Sequence, residues 1–414
     1  MPAANPKIAV IGAGLTGLLV AHGLQKNGFD VVIYDRDASV DSRSRDWTIV
    51  LHWALPVMQS LLPKSLAAKL SHAICNPDLA FDASVETLAV YNGITGDKLF
   101  ASPMPGSRRI SRQRLRQVLV EGLDVKWGKK LEKIEKTETT DADVLRLVFE
   151  DGTEDAGYVL AADGASSRVR ALVVGDATKA QSTPSGLLFA TAIVNYKDEA
   201  KVKSVTDLHP VAAIAMGADA VGGCGVLHVN DGKGGPARAV ADWTTFVIKI
   251  WRGTLPAATS SSDVIRLLKE SDSSKSLAAP FSSQIDWIPE DGSSVCYVDE
   301  MKYWVAPGPF GTDTTLDHRV TLAGDAAHPM LIYRGQGFQH AITDADNYVK
   351  ALVSIRAAGW SAEARRATMA AYDAEMVERG GKAVAQSVQE AALSFDVEKV
   401  QKMLMARQGH GRSA

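Results

Sequence analysis

Cysteine is scarce in this chain: three residues in 414, Cys75, Cys224 and Cys296, lie far apart and form no C-x-x-C pair. The pattern excludes a disulfide framework and a cysteine-built metal site; no metal is expected, and a reducing compartment, the cytoplasm, is. Long apolar runs are missing too. The longest stretch of small and apolar residues, 211–227, is glycine-rich and interrupted by Asp219, so no membrane association is expected. An apolar run already begins at Ile8, so no signal peptide is expected. Basic residues are not in excess, and the net charge of −3 argues against a nucleic-acid partner. No solenoid-type repeat is found. What remains is a composition of 46% hydrophobic and 22% charged residues, that of a globular protein long enough for two domains.

Glycine is placed with purpose at the N-terminus. Gly12, Gly14 and Gly17 separate the apolar run 8–11 from a helical pattern, with Leu15 and Thr16 completing the string GAGLTG. The first glycine allows a tight turn, the second lets the backbone approach a pyrophosphate, and the third permits close helix–strand packing. Asp35, eighteen residues after Gly17, closes the next apolar run and is placed to accept ribose hydroxyls, with Arg36 beside it. The free N–H groups of the helix start would face the phosphates.

A coarse reading gives strand 7–11, helix 15–27 and strand 30–34, then helical stretches at 53–70 and 111–121. Strands 145–150 and 157–161 flank an Asp151-Gly152 turn. The run Arg108, Arg109, Arg112, Arg114, Arg116 has apolar partners at helical spacing, so a solvated helix face is expected, with a phosphate contact as the alternative. Beyond 175 short β-like runs dominate, and serine-rich stretches at 259–262 and 271–276 read as surface loops around a short helix. A strand returns at 320–323, a long helix begins near 338, and everything from 361 onward is helical. The expected fold is α/β: a Rossmann-type domain interrupted by a β-sheet-rich substrate domain and closed by C-terminal helices. The divisions are 1–175 (with 75–100 contributing to the substrate domain), 176–294, 295–360 and 361–414.

Two further turns carry chemistry. In YVLAADGASSRVR, residues 158–170, a strand delivers the chain to Asp163-Gly164 and arginines follow, which is where an open α/β sheet receives an anionic ligand. In VTLAGDAAHPMLIYRGQGFQHAITDAD, residues 320–346, a strand runs into Gly324-Asp325 and a glycine-rich loop precedes a helix. The carboxylate can take hydroxyl hydrogen bonds, while N–H groups near Gly335, Gln336 and Gly337 can face a carbonyl that becomes negative. His328 alternatively only caps this loop, and the glycines alternatively only permit the turn.

With these three motifs in this order the chain resembles the single-component, FAD-dependent aromatic hydroxylases of the para-hydroxybenzoate hydroxylase type. RDWTIVLHW at 45–53 and HPMLIYRGQG at 328–337 look like the fungal secondary-metabolism branch. The resemblance implies that Gly12, Gly14, Gly17 and Asp35 hold the ADP half of FAD and Asp325 the ribityl chain. It also implies that Arg112 (in SRQRL) and Arg45 reach the cofactor, and that Asp163 serves the pyrophosphate region and NADPH docking. Gly335, Gln336 and Gly337 would lie beside the flavin pyrimidine ring. Departures are Ile332, where many relatives carry proline, and Trp47 and Thr48, where they often carry glycine. The implied reaction is hydroxylation or epoxidation of an electron-rich phenolic, indolic or polyketide-type metabolite: NADPH reduces FAD, O2 adds at C4a, and the hydroperoxide passes on one oxygen. His52 is the candidate base for a phenol, and Tyr333 and Arg334 are candidates to orient the substrate. The alternatives are a reductase or oxidase on the same fold, or a flavin-bound sensor. A halogenase is disfavoured because IDWIP at 285–289 does not complete the W-x-W-x-I-P segment. Monomer and homodimer both remain open.

Overall fold

The computed structural model describes residues 5–43, 45–137, 144–256, 260–270 and 276–410. Five short strands, all but the last buried on both faces, form a parallel sheet in the order Val320–Leu322, Tyr158–Ala161, Ile8–Ile11, Val31–Asp35, Val125–Trp127. Strands covered on both sides read as unbroken apolar runs, as IAVI and YVLA do here. Helix Leu15–Lys26 packs against helix Gly337–Ala357, which in turn carries the long helix Ala362–Leu393. A three-stranded antiparallel sheet (Leu131–Lys136, Leu145–Phe149, Gly152–Ala156) joins the same core, with the Phe149 ring 4.8 Å from that of Tyr34.

The second sheet has seven strands in the order Val295–Tyr303, Thr183–Val194, Thr244–Arg252, Ala220–His228, Ala212–Met216, Thr87–Asn92, Lys98–Pro103. Period-two alternation splits its side chains between two cores. Leu188 and Ala213 face a cluster with the helices Glu199–Thr206, Ser261–Glu270 and Phe281–Asp286. Their neighbours Leu187 and Ile214 face Leu331, Tyr333, Val400 and Met403. The sheet therefore turns one face toward the loop after Gly324 and the C-terminal helices. Among the described residues no helix is long and apolar enough to cross a membrane.

Several expectations need correction. The single helix at 53–70 is broken into Leu55–Leu61, Lys64–Ala68 and a 3-10 turn Lys69–Ala73, because Pro63 lacks the N–H a continuous helix needs. The Asp151-Gly152 turn leads into an additional strand, Gly152–Ala156, before the chain enters the parallel sheet. A division at 294 does not hold, since Val295–Tyr303 pairs with Thr183–Val194 as an edge of the seven-stranded sheet. Of the serine-rich stretches, residues 259 and 271–275 lie outside the described residues, and Ser261 already begins a helix.

Candidate active site

Three neighbouring strands of the parallel sheet end in the three motif turns: Ile8–Ile11 at Gly12, Tyr158–Ala161 at Asp163, Val320–Leu322 at Gly324. The carboxyl ends of adjacent parallel strands are where such sheets bind ligands. Close packing dictates the glycines. A Cβ on Gly12, whose φ is +108°, would stand 2.4 Å from the Ala162 carbonyl oxygen, and one on Gly17 would stand 2.0 Å from the Gly12 oxygen. Gly14, at the helix N-cap, meets nothing nearer than 3.9 Å, so the space above it is open. That is the cradle a pyrophosphate needs and a larger side chain would fill. Thr16 closes the far side, within 2.6 Å of where a Cβ on Gly324 would stand, and Leu15 is buried in the core.

Asp35 braces the first turn: Oδ2 accepts the Ala13 N–H at 2.6 Å and Oδ1 the Asp37 N–H at 2.8 Å. A carboxylate has further lone pairs, so both bonds are compatible with accepting ribose hydroxyls. Arg36 beside it is exposed. Asp163 takes the Arg168 N–H on Oδ2 at 2.9 Å, while its Oδ1 is buried without a hydrogen-bond partner. Burial raises its pKa against the Ser167 and Arg168 hydrogen bonds.

Asp325 is accessible to solvent yet strongly desolvated, which marks it as a wall of a cleft rather than a surface group. Burial pushes its pKa up against the fields of His328, Arg112 and Arg170. Across from it, the Arg112 guanidinium lies over the Trp47 ring at 4.5 Å, a cation–π contact of ~0.5–2 kcal/mol, and among the described residues it has no hydrogen-bond acceptor. Burial, Arg116 and Arg43 lower its pKa to about 10, which leaves it charged at neutral pH.

The solvated arginine face expected at 108–116 is overturned: no arginine of the run is fully exposed. Arg116 is buried and donates to the Ala13 and Val40 carbonyls and to Asp37. Arg114 holds Asn230, and Arg108 pairs with Glu86. Nor does Arg170 await an anion. Its guanidinium donates to the Ala165, Ala326, Ala180 and Asp325 carbonyls, lacing the turn after Asp163 to the turn after Gly324. Arg45 is drawn away from the turns into an exposed pair with Asp299 at 2.8 Å.

Residues far apart in sequence hold these parts in place, and no motif announced them. Asp344 accepts the Gly324 N–H at 2.7 Å and pairs with His328 at 2.7 Å and Arg379 at 2.5 Å. Burial alone would raise its pKa, but the two partners hold it at about 2. Gln339 accepts the His52 and Ala54 N–H groups and donates to the Val50 carbonyl, fixing strand Thr48–Leu51 against helix Gly337–Ala357. Asp46 accepts from Ser111, Gln113 and Trp47 and so aims the start of helix Arg112–Leu119.

His52 is buried, its Nε2 has no partner, and burial followed by the Arg334 charge lowers its pKa to about 4. Arg334 is itself buried with Nη1 unpartnered, and Gly335, at φ +58°, follows it with open space at its Cα. Gly337 likewise meets only Met330, at 3.7 Å. Gln336 donates to the His410 carbonyl at 3.3 Å, and the His410 ring pairs with Ser102 at 2.9 Å, so the C-terminal segment reaches the loop of Gly335 and Gln336. Tyr333 is packed in the apolar cluster between the seven-stranded sheet and the C-terminal helices, its phenol kept protonated by burial.

Three turns at the carboxyl ends of adjacent parallel strands are the geometry of a dinucleotide site, and sequence comparison agrees. A family model for FAD-dependent oxidoreductases matches residues 7–240, and an FAD-binding-domain model matches 297–387. The FAD-dependent monooxygenase phnB of Penicillium herquei is 31% identical over 411 residues, spanning 99% of this chain and 96% of that protein. The FAD-dependent monooxygenase cctM of Talaromyces islandicus is 31% identical over 382 residues, 92% of this chain and 91% of that one. Among solved structures, CtdE in complex with FAD and a substrate superposes with a TM-score of 0.75 at 14% identity, covering 99% of this chain and 94% of that one. The chain belongs to the FAD-dependent oxidoreductases and, within them, to the FAD-dependent monooxygenases of fungal secondary metabolism.

Proposed function

We infer that this monooxygenase hydroxylates or epoxidises an electron-rich phenolic, indolic or polyketide-type metabolite, drawing its electrons from NADPH. The observation that carries the cofactor's position is the alignment of the three turns at neighbouring strand ends, opposite an Arg112 guanidinium that has no acceptor among the described residues. FAD bound there supplies the electron store and the site of O2 activation. The N–H groups around Gly14, Leu15 and Thr16 bind the pyrophosphate, Arg112 neutralises it, Asp35 accepts ribose hydroxyls and Asp325 those of the ribityl chain. Gly335, Gln336 and Gly337 pass beside the flavin ring. Asp163 shapes the face at which NADPH docks transiently, since no second G-x-G-x-x-G exists in the chain.

On the substrate side His52 is a poor base. A side chain with a pKa of about 4 facing a phenol near ~10 is mismatched by about six units, on the order of 8 kcal/mol. Its buried neutral ring is suited instead to hydrogen-bonding the substrate, while Arg334, with Nη1 free, stabilises negative charge that develops on the substrate oxygen. Tyr333 acts through packing.

Anaerobic stopped-flow reduction by NADPH, with and without a substrate found by screening phenolic, indolic and polyene metabolites, tests this reading. Reduction is expected to be much faster with substrate, and 18O from labelled O2 is expected in the product. Equal reduction rates with no label in the product would turn the assignment toward a reductase or oxidase.

A further inference from the structure

Strand Thr48–Leu51 pairs antiparallel with Arg108–Ser111, Thr48 opposite Ser111, and the ladder runs one step further: the Arg112 N–H donates to the Trp47 carbonyl at 3.0 Å. Residues that face each other across an antiparallel pair send their side chains to the same side. The Arg112 guanidinium accordingly lies over the Trp47 ring, 4.5 Å from its centroid. Asp46 staples the end of this ladder. Its Oδ1 accepts the Trp47 and Gln113 N–H groups and its Oδ2 the Ser111 hydroxyl, while its carbonyl accepts the Tyr297 hydroxyl at 2.8 Å. The backbone beneath both the ring and the cation is thereby fixed.

No acid holds the cation itself. Among the described residues the Arg112 guanidinium has neither a hydrogen-bond acceptor nor a carboxylate within ion-pair distance. The neighbouring cations are already paired: Arg43 with Asp37, and Arg116 with Asp37 and the Ala13 and Val40 carbonyls. Both repel Arg112, and Asp325 and Asp46 attract it without touching it. A long side chain in such a setting has several staggered conformers, and the indole face is the contact that selects one.

We propose that Trp47 is a positioning residue for the cofactor: its indole face keeps the Arg112 guanidinium aimed into the cleft walled by Asp325, so that a diphosphate meets a cation already ordered. This rests on the FAD reading, in which Arg112 neutralises the pyrophosphate, and it adds the residue that presents the charge. Ordering an arginine at the moment of binding, rather than beforehand, weakens a ligand by about 3- to 10-fold.

The test uses the full chain freed of flavin, titrated with two probes, FAD and ADP; ADP carries the diphosphate and no flavin ring. W47L and W47M, which fill space without a π face, are expected to bind both probes about 3- to 10-fold more weakly than wild type, by the same factor for each. W47F, which keeps an aromatic face, is expected to stay within twofold. R112Q is expected to lose about tenfold or more for both probes, and W47L added to R112Q to cost nothing further. Circular dichroism checks that each variant is folded, and W47M carries the measurement where W47L is not. Unchanged ADP affinity in the folded Trp47 variants, loss of FAD affinity alone, or an undiminished effect of W47L in the R112Q background would overturn the proposal. The first two of these, with R112Q weakened as expected, refute Trp47 and leave Arg112 at the diphosphate. Wild-type ADP affinity in R112Q would remove Arg112 from the diphosphate, and the proposal with it.

Discussion

Nε2 of His328 and Oδ2 of Asp344 stand 2.7 Å apart in a fully buried pair, and the same carboxylate oxygen receives the Gly324 N–H. One side chain on helix Gly337–Ala357 thus ties both ends of the turn that presents Asp325. Asp344→Ala removes the acid partner of buried His328 and one of the two acids paired with Arg379, which keeps Glu375, and breaking a buried pair of this kind costs ~3–5 kcal/mol. Urea unfolding should register that loss together with reduced flavin retention. A change under about 1 kcal/mol would mean that His328 and Arg379 find other partners.

Gly14 and Gly17 should separate binding from folding. Gly14→Val places a branched side chain in open space, so secondary structure by circular dichroism is expected to persist while flavin is lost on desalting. Gly17→Ala drives a methyl into the Gly12 carbonyl, and poor folding is expected even with excess FAD. Normal flavin content in Gly14→Val would show that the cradle is not where the pyrophosphate lies.

Asp325→Ala is expected to weaken FAD binding by ~1.5–3 kcal/mol, or about 10- to 150-fold, through loss of a charged hydrogen bond. Equilibrium titration of the apoprotein with FAD measures it. Affinity within twofold of wild type would remove Asp325 from the cofactor site.

Acid sensitivity should trace to buried histidines. His52 falls to about 4 and His410 to about 3, both through burial first, with nearby positive charge adding to it. Between an unfolded value near ~6.5 and these values the unfolded chain binds more protons, so stability rises with pH across this window and is lost as pH falls through it. At pH 5 each contributes on the order of 2 kcal/mol of destabilisation relative to pH 8. The carboxyls whose pKa desolvation raises, among them Asp163, Asp325 and Glu390, act in the opposite sense, so the comparison is made between proteins. H410Q should show a shallower fall in Tm from pH 8 to pH 5 than wild type. Parallel curves would mean that His410 titrates normally.

Each of the three turns could be read from the sequence because its parts are consecutive: strand, glycine and acid fall within a few residues, and their geometry is local. Roles that depend on partners far along the chain could not. Arg116 meets the Ala13 carbonyl across 103 residues and Arg170 meets Ala326 across 156, so helical periodicity placed the arginine run on a solvated face although the Gly12 turn lies against it. The boundary at 294 failed for a similar reason: an edge strand has the same local pattern whichever sheet it joins. His410 carries no motif. Only the fold of the C-terminal segment onto strand Lys98–Pro103 brings it to Gln336.

The sheet order has a consequence for how the protein is made. Ile8–Ile11 is made before its sheet neighbour Tyr158–Ala161, the turn at Gly324 follows Asp35 by 289 residues, and its brace Asp344 follows Asp35 by 309. At roughly 5–20 residues per second, that interval is about 15–60 s. Throughout it, the nascent chain carries the Gly12 turn without the Gly324 turn at the neighbouring strand ends. On the cofactor placement proposed above, full capture of FAD waits until the Gly324 turn and its brace Asp344 have emerged.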